Sequence, residues 1–177
     1  MSEAQTAKKR SAGILLVRVI QGRLVIFLRR RAADDSWGGA LQVTSHGGWE
    51  LVDGGGYPAT TVAREMVEEL KCTPEFAQRA VSRMKPLGTG VDTPEKEVRT
   101  FYLVLHDSDT AEINRMQDQL EAIGIEDVDK IKEMFDPLPD GSKPTKRSKL
   151  PADELRMFDD ERQSVLELVR LYQTAQM

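Results

Sequence analysis

The pattern of hydrophobic and polar positions along this chain predicts a sheet that is interrupted by helices. Runs rich in β-branched and other apolar residues predict strands at 11–19, 23–30, 40–45, 85–91 and 97–107. The first two runs flank a short link that contains Gly22, which favours a β-hairpin. Strands and helices are mixed without a regular alternation. The fold class is therefore predicted to be α/β or α+β, with a layered sheet between helices.

Helical periodicity is clearest at residues 58–71. Small and aliphatic side chains recur there every three or four positions, and Pro58 suits the first turn of a helix. A second helix is predicted at 74–83. The segment 30–39, in which Asp, Ser and Gly cluster, is predicted to be a loop.

The final third of the chain has a different pattern. Residues 110–135 are charged and helical in periodicity, which predicts two helices broken at Gly124. Prolines and a cluster of basic residues predict that 136–151 is an exposed loop. Residues 152–175 then predict a closing amphipathic helix, which either packs on its own domain or serves as an oligomerisation element in a homodimer.

Composition limits what this protein can be. A length of 177 residues with 40% hydrophobic and 31% charged residues suits one globular domain. We expect 1–10 to be a mobile terminus and 11–177 to form the domain, with 110–177 as a helical elaboration. No apolar run approaches the roughly 20 residues that span a bilayer, and no secretory signal is visible, so we expect a cytoplasmic protein without a membrane partner. The single cysteine, Cys72, excludes an internal disulfide and a cysteine-rich zinc site.

Candidate chemistry lies on the predicted helix at 58–71. Glu65, Glu68 and Glu69 are spaced to share one helix face. Three converging carboxylates make a hard oxygen site that suits Mg²⁺ or Mn²⁺, and such a site can hold diphosphate oxygens and activate water. An ordinary acidic, solvent-exposed face explains the same pattern. Helical spacing alone leaves both interpretations open.

The loop before this helix favours the functional interpretation. It contains glycines that let the backbone approach a ligand or adopt positive φ, at positions 47, 48, 54, 55 and 56. Glu50 and Asp53 add two carboxylates just before the helix. Packing alone is a poor explanation for five acidic residues gathered in one loop–helix unit.

This segment resembles the signature box of the Nudix hydrolases, G-x5-E-x7-R-E-U-x-E-E-x-G-U, in which U is aliphatic. "REMVEE" at 64–69 matches the second half, and the strands at 11–30 and 98–106 follow the family order. The resemblance implies an α/β/α sandwich with a mixed central sheet, to which this chain adds C-terminal helices. The first half of the box departs from the pattern. If "GGG" at 54–56 is an insertion, Asp53 replaces the first glutamate, and Lys71 stands where the closing glycine is expected.

The same resemblance implies roles for the acidic residues. It makes Glu65, Glu68 and Glu69 metal ligands, with Glu65 also a candidate for orienting water, and it adds Asp53 as a further ligand. Arg64 is expected to hold the carboxylates in place through charge-assisted hydrogen bonds. A general base often comes from a separate loop in this family. Glu97 is our choice over its neighbours Asp92 and Glu95.

Substrate-binding candidates flank the acidic segment. Arg29 and Arg31 leave a predicted strand together and are suited to phosphate, although a solvated strand end is the alternative. Trp37 is suited to stacking on a base, with core packing as its alternative. His46 is suited to contact with phosphate or base. A basic loop at Lys143, Lys146, Arg147 and Lys149 could contact RNA or simply be solvated.

The resemblance implies a Mg²⁺-dependent (or Mn²⁺-dependent) hydrolase that cleaves a phosphoanhydride bond in a nucleoside diphosphate linked to another moiety. The expected partner is a nucleotide or another small molecule containing a diphosphate, and capped RNA remains open as a substrate. The alternative function is a non-catalytic nucleotide-binding or regulatory module, because the first half of the box is altered. With a net charge of −4, the chain must bind any polyanion through local basic groups or a metal.

Overall fold

The computed structural model describes residues 7–151, 153–175 and 177. The mobile terminus that we expect at 1–10 therefore lies partly outside the described residues. The strands are β1 (Lys9–Ile20), β2 (Arg23–Arg30), β3 (Leu41–Gln42), β4 (Ser45–Gly48), β5 (Lys85–Asp92), β6 (Lys96–Val104), β7 (Glu121–Gly124), β8 (Lys132–Glu133) and β9 (Arg156–Met157). The α-helices are α1 (Ala59–Leu70), α2 (Pro74–Arg83), α3 (Thr110–Met116) and α4 (Asp159–Gln173).

Strand β1 organises the mixed sheet. It pairs in parallel with β6 along most of its length, while its other edge has two antiparallel partners. The first half of that edge pairs with β4 and the second half with β2. Thr44 is buried where the two partners diverge: its hydroxyl accepts a hydrogen bond from Leu16 N at 2.8 Å and donates one to Phe27 O. The sheet therefore splits beside β1, and β4 is held at the split.

Helices cover both faces of this sheet, as the sequence predicted. Alternate β1 residues point to opposite faces. Ala12, Ile14 and Leu16 pack against α1 and α2, whereas Leu15 and Val17 pack on the side of α4. Because both faces are buried, β1 is a nearly continuous apolar run rather than an alternating one. The α/β/α fold class is confirmed.

The hairpin and both N-terminal helices agree with the sequence predictions, but residues 110–135 do not. Residues 110–135 do not form two helices broken at Gly124. Only α3 is an α-helix there, and β7 pairs with β2 with Ile26 opposite Ile123. The open edge of β2 gives this segment a ladder of hydrogen bonds, and tertiary pairing overrides its helical pattern.

Two further boundaries differ from the prediction for a physical reason. The strand predicted at 40–45 is two strands, because the chain changes partner at Thr44 from β2 to β1. The closing helix begins at Asp159 rather than at residue 152. Residues 156–157 first pair as β9, in parallel with β3 and β8. The predicted loop 136–151 contains no described helix or strand.

Helix α4 packs on its own domain. Val165 and Leu168 are fully buried in the second hydrophobic core, and Tyr172 Oη donates a hydrogen bond to Gly22 O at 2.6 Å. The structure therefore gives the closing helix an intramolecular role. Among the described residues, no helix combines the length and the hydrophobicity needed to cross a bilayer.

We predict that Leu168→Ala lowers the free energy of unfolding by about 3 kcal/mol, because it leaves a cavity in the core beneath α4. Urea unfolding measures the change, and light scattering measures the mass of the folded protein. The exposed Gln163→Ala on the same helix is the control and should change stability little. A loss of dimer mass without a loss of stability would contradict an intramolecular role for α4.

Candidate active site

The three helix glutamates are not equivalent in the structure. Glu65 and Glu69 turn towards β4, and their side chains are only 12% and 17% exposed. Glu68 turns outward, and its side chain is 57% exposed. The shared helix face predicted from the spacing is therefore divided into two inward carboxylates and one outward carboxylate.

A glycine allows the close approach of α1 to β4. A Cβ atom added at Gly47 would lie 1.9 Å from the carboxyl carbon of Glu65, so no larger residue fits without displacing that carboxylate. The next inward glutamate is bound by the same strand, because His46 N donates to Glu69 Oε2 at 3.1 Å. The backbone of β4 thus forms one wall of the acidic site.

Arg64 joins the loop, the strand and the helix. Its Nε donates to Asp53 Oδ1 at 2.8 Å, and its Nη2 donates to Gly48 O at 2.6 Å. Its Nη1 lies 2.8 Å from Glu65 Oε1 and 3.1 Å from Glu68 Oε2. This arrangement matches the carboxylate-holding role that the resemblance implies for Arg64.

Asp53 is the buried partner of Arg64. Its side chain is 2% exposed, and Oδ2 accepts hydrogen bonds at 2.9 Å from Glu50 N and from Thr61 Oγ1 in addition to its pairing with Arg64. The hydrogen bond from Arg64 is the main cause that lowers the pKa of Asp53 below its ordinary value. The buried Asp53 carboxylate with these donors anchors Arg64, and metal ligation by Asp53 stays a prediction.

These contacts also support the insertion alignment of the signature box. Glu50, the alternative carboxylate, lies 3.7 Å from Arg64 and its side chain is 64% exposed. Asp53 reaches Arg64 from the end of a short 3-10 turn, Leu51–Asp53, and the three glycines follow it. Gly54 adopts a φ of +58°, which favours glycine, and its carbonyl accepts a hydrogen bond from Trp49 Nε1 at 3.1 Å.

The carboxylates on α1 repel one another. Burial is the main cause that raises the pKa of Glu65, and the negative charges of Glu69 and Glu68 raise it further against the opposing effect of Arg64. A divalent cation would relieve this repulsion, and carboxylate oxygens are the ligands that Mg²⁺ prefers. Within the part of the chain that is described, however, no three His, Cys, Asp or Glu side chains are grouped to hold a metal ion. The donor chemistry fits a cation at Glu65 and Glu69, while Glu68 faces solvent.

Arg29 borders this acidic pair, and the charge of Arg31 acts on nearby Glu161. Arg29 Nη2 donates to Glu69 Oε1 and also, at 2.9 Å, to Gln42 Oε1. Among the described residues, Arg29 Nε and Arg31 Nε are buried donors without a hydrogen-bond partner, and the hydroxyl of Ser45 is likewise buried without one. Buried polar atoms are normally satisfied, so these donors indicate a place for a ligand or ordered water.

His46 faces the opposite side of β4 from Glu65. A cavity of about 60 Å³ lies there between the sheet and α4, and its polar lining includes His46, Lys96, Asp160 and Glu161. Gly13 leaves room for the imidazole, since a Cβ atom there would lie 2.8 Å from His46 Cδ2. Burial lowers the pKa of His46, and Asp160 opposes that effect, so burial favours a neutral ring.

Glu161 was missed by the sequence predictions. Burial, and then repulsion from Asp160, raises its pKa to about 8, while the charge of Arg31 opposes the shift and that of Glu69 adds to it. Acidic residues in the first turn of a helix are ordinary, because they complement the helix dipole. "DDE" at 159–161 therefore carries no signal of its own, and only the packing of α4 beside β4 brings Glu161 near the site.

The predicted general base, Glu97, is not an open carboxylate. It lies 2.9 Å from Arg99 Nε, 3.5 Å from Arg10 Nε and 4.0 Å from Lys8 Nζ. Its strand neighbour Lys96 lines the cavity beside His46, and strand alternation points Glu97 to the other face. Three cations compete for this carboxylate and hold it as an ion-pair partner, and its role as general base stays a prediction.

Trp37 packs in a cluster of aromatic rings. Its ring centroid lies 5.5 Å from those of both Phe135 and Phe158, in edge-to-face geometry. The residue also adopts a φ of +60° in its loop. The structure therefore shows the packing that was the alternative for Trp37, and its stacking on a base stays a prediction.

Comparisons with known proteins identify the fold. No family model matches this sequence, and no curated protein does. Among solved structures, the chain is similar to NrtR of Shewanella oneidensis, with a TM-score of 0.53 and 14% sequence identity. The match covers 94% of this chain and 64% of NrtR. It is also similar to RenU, a Nudix hydrolase from M. smegmatis, with a TM-score of 0.51 and 14% identity. That match covers 90% of this chain and 85% of RenU. A candidate Nudix hydrolase from Listeria monocytogenes is similar with a TM-score of 0.51 and 13% identity. The match covers 94% of this chain and 96% of the Listeria chain.

We predict that Gly47→Ala displaces Glu65 and costs about 1–3 kcal/mol in stability, because the new methyl group overlaps a carboxylate packed against β4. Gly55→Ala is the matched control, since a Cβ atom there meets nothing within 4 Å. Denaturant unfolding of both variants measures the difference. Equal stability of the two would contradict the close approach of Glu65 to the β4 backbone.

The folded state holds a proton on Glu161 that the unfolded chain releases, because the pKa rises from 4.5 to about 8 on folding. Wild-type stability therefore falls as pH rises through this window. We predict that Glu161→Gln is stabilised relative to wild type, by an amount that grows between pH 5 and pH 8 to about 4 kcal/mol. Thermal unfolding in a metal chelator measures this difference. A pH-independent difference would contradict the burial of Glu161.

Proposed function

This chain has the Nudix fold, and we propose that it is a Mg²⁺-dependent or Mn²⁺-dependent hydrolase. Its proposed reaction is cleavage of a phosphoanhydride bond in a nucleoside diphosphate linked to another moiety. One observation carries the proposal: Glu65 and Glu69 are held inward against the backbone of β4, close enough to repel each other. Structural scaffolding alone does not need two repelling carboxylates at this position.

Glu65 and Glu69 would hold the cation in this proposal, with Glu68 as a further carboxylate at the outer rim. When bound, the cation would neutralise diphosphate charge and lower the pKa of water. Arg64 keeps the Glu65 carboxylate in place while its own position is held by Asp53. This arrangement positions the acidic pair before any ligand arrives, so little reorganisation is needed on binding.

Arg29 and Arg31 would bind the phosphates. Both carry a buried Nε donor that lacks a partner among the described residues, and phosphate oxygens are suitable acceptors for a guanidinium. Arg29 already contacts Glu69, so a phosphate bound there would lie next to the proposed cation position. The cation and the two arginines would together balance the charge of a diphosphate.

A second candidate function is a nucleotide-binding or regulatory module without hydrolysis. It is favoured by the absence of a three-ligand group among the described residues and by the pairing of Glu69 with Arg29. NrtR, one of the structurally similar proteins, has also been solved in complex with a 27mer DNA, with a TM-score of 0.52 at 14% identity over 63% of that chain.

We predict that Glu65→Gln and Glu69→Gln each reduce metal-dependent phosphate release by about 100-fold or more, because each removes a charge that would bind the cation. Release is measured with Mg²⁺ and Mn²⁺ over a panel of nucleotides and nucleotide conjugates, with product identification. Glu75→Gln, an exposed acid on the first turn of α2, is the charge-matched control.

Thermal unfolding must accompany the assay, because Glu69→Gln also weakens the contact with Arg29. If the wild type binds nucleotide and metal but turns over no compound, and Glu69→Gln leaves binding intact, the enzyme proposal fails. That result would favour the regulatory module instead.

A further inference from the structure

The proposed function leaves one charged surface unexplained. The basic loop, residues 143–149, carries four exposed cationic side chains: Lys143, Lys146, Arg147 and Lys149. None of the four forms an ion pair within 4.0 Å with any described residue. Many exposed cations elsewhere on the chain are paired, among them Arg23 with Glu126 and Lys130 with Asp127. An acidic protein that leaves four neighbouring cations unpaired presents a local site for an anion.

The basic loop has a fixed backbone. Trp37 N donates to Lys146 O at 3.1 Å, and Ser148 N donates to Thr145 O at 2.9 Å. Thr145 N in turn donates to Ser148 Oγ at 2.8 Å, and Pro144 is buried. These hydrogen bonds hold the backbone that carries the four cations, which lie within seven consecutive residues. A bound polyanion would offset their mutual repulsion.

Its position connects the loop to the candidate active site. Trp37, which holds Lys146, packs edge-to-face on Phe158, and Phe158 immediately precedes the first turn of α4. That turn contains Glu161, which lines the cavity beside His46. The basic loop is therefore joined through a short series of direct contacts to one wall of the His46 cavity, which lies on the opposite side of β4 from Glu65.

An aromatic side chain lies beside the same contacts. Phe135 packs against Trp37 and Phe158, yet it remains 55% exposed, which is unusual for a large apolar residue in a cluster. Cations that follow a phosphate backbone, combined with an exposed aromatic face on which a base can stack, are the two elements of single-strand recognition. Duplex binding would have no use for the exposed ring.

We propose that the basic loop and Phe135 bind single-stranded RNA, with the loop cations on the phosphate backbone and Phe135 against a base. The substrate of the proposed hydrolase would then carry its diphosphate at the 5′ end of an RNA chain. This second statement rests on the proposed function, whereas binding of RNA by the loop does not.

Binding is tested with a labelled 20-nucleotide single-stranded RNA that has a 5′-hydroxyl and so offers no bond to cleave. In chelator, fluorescence anisotropy between 50 and 200 mM salt gives the affinity and its salt slope. The fourfold Lys/Arg→Gln variant of the basic loop is expected to flatten the slope by roughly 2.8, about 0.7 for each lost phosphate contact. At 50 mM salt its affinity is expected to fall at least about tenfold.

The matched control removes the same number of cations elsewhere, through Gln substitutions at four exposed positions: Arg23, Lys85, Arg115 and Lys130. Its affinity is expected to stay within about twofold of wild type. Equal losses in the two variants, or no binding by the wild type, would overturn the proposal.

Phe135→Ala is expected to weaken binding about fivefold or more without changing the salt slope. Competition by inorganic polyphosphate as effective as that by RNA would make the loop a general anion patch and would also overturn the proposal.

Hydrolysis separates the two proposals. With RNA carrying a 5′-triphosphate, the fourfold variant is expected to raise KM about tenfold, while kcat/KM for a free nucleoside triphosphate stays unchanged. Binding of RNA without turnover of any compound would refute the hydrolase and leave the loop proposal standing. Turnover of small nucleotides with no affinity for RNA would refute the loop proposal alone.

Discussion

The ion pair between Arg64 and Asp53 is the interaction on which the candidate site depends. Each member needs the other, because an unpaired buried carboxylate or guanidinium is strongly unfavourable. Through the same guanidinium, the loop that ends at Asp53 is tied to the β4 carbonyl of Gly48 and to Glu65 on α1. The position of one carboxylate therefore depends on contacts that reach three separate segments of the chain. An inserted run of glycines does not disturb this network, because the insertion follows Asp53 and leaves both partners in reach.

Holding Glu65 and Glu69 inward opposes the stability of the fold. Both carboxylates lose solvent and repel each other, and Arg64, Arg29 and the backbone N–H of His46 compensate them directly. Glycine at position 47 removes the steric obstacle but supplies no attraction. Functional sites commonly retain such arrangements at a cost in stability. The buried arginine nitrogens without partners among the described residues belong to the same pattern, since a bound ligand or ordered water would satisfy them.

Sequence reasoning was most successful where the signal is local. Helical spacing in "REMVEE" identified α1 and its three glutamates, and the motif made Arg64 their partner. The helical spacing of the glutamates does not predict that Glu68 turns outward, because its direction depends on how closely β4 approaches α1. Long-range pairing also decided the fate of residues 121–124, where the free edge of β2 outweighed a helical pattern. Glu161 was invisible for the same reason, since an acid in a first helical turn is ordinary until the helix is packed beside a site.

The C-terminal third is structurally part of the site rather than an appendage. Its strand β7 extends the sheet at β2, which carries Arg29, and its helix α4 supplies Glu161 to the cavity beside His46. In this region Glu161 faces the cavity beside His46, whereas the four cations of the basic loop face solvent. An anion approaching a protein of net charge −4 is repelled over much of the surface, so local cations determine where it can bind. The Arg29–Arg31 segment and the basic loop both adjoin the Trp37 loop, since Gly39 N donates to Arg31 O and Trp37 N donates to Lys146 O.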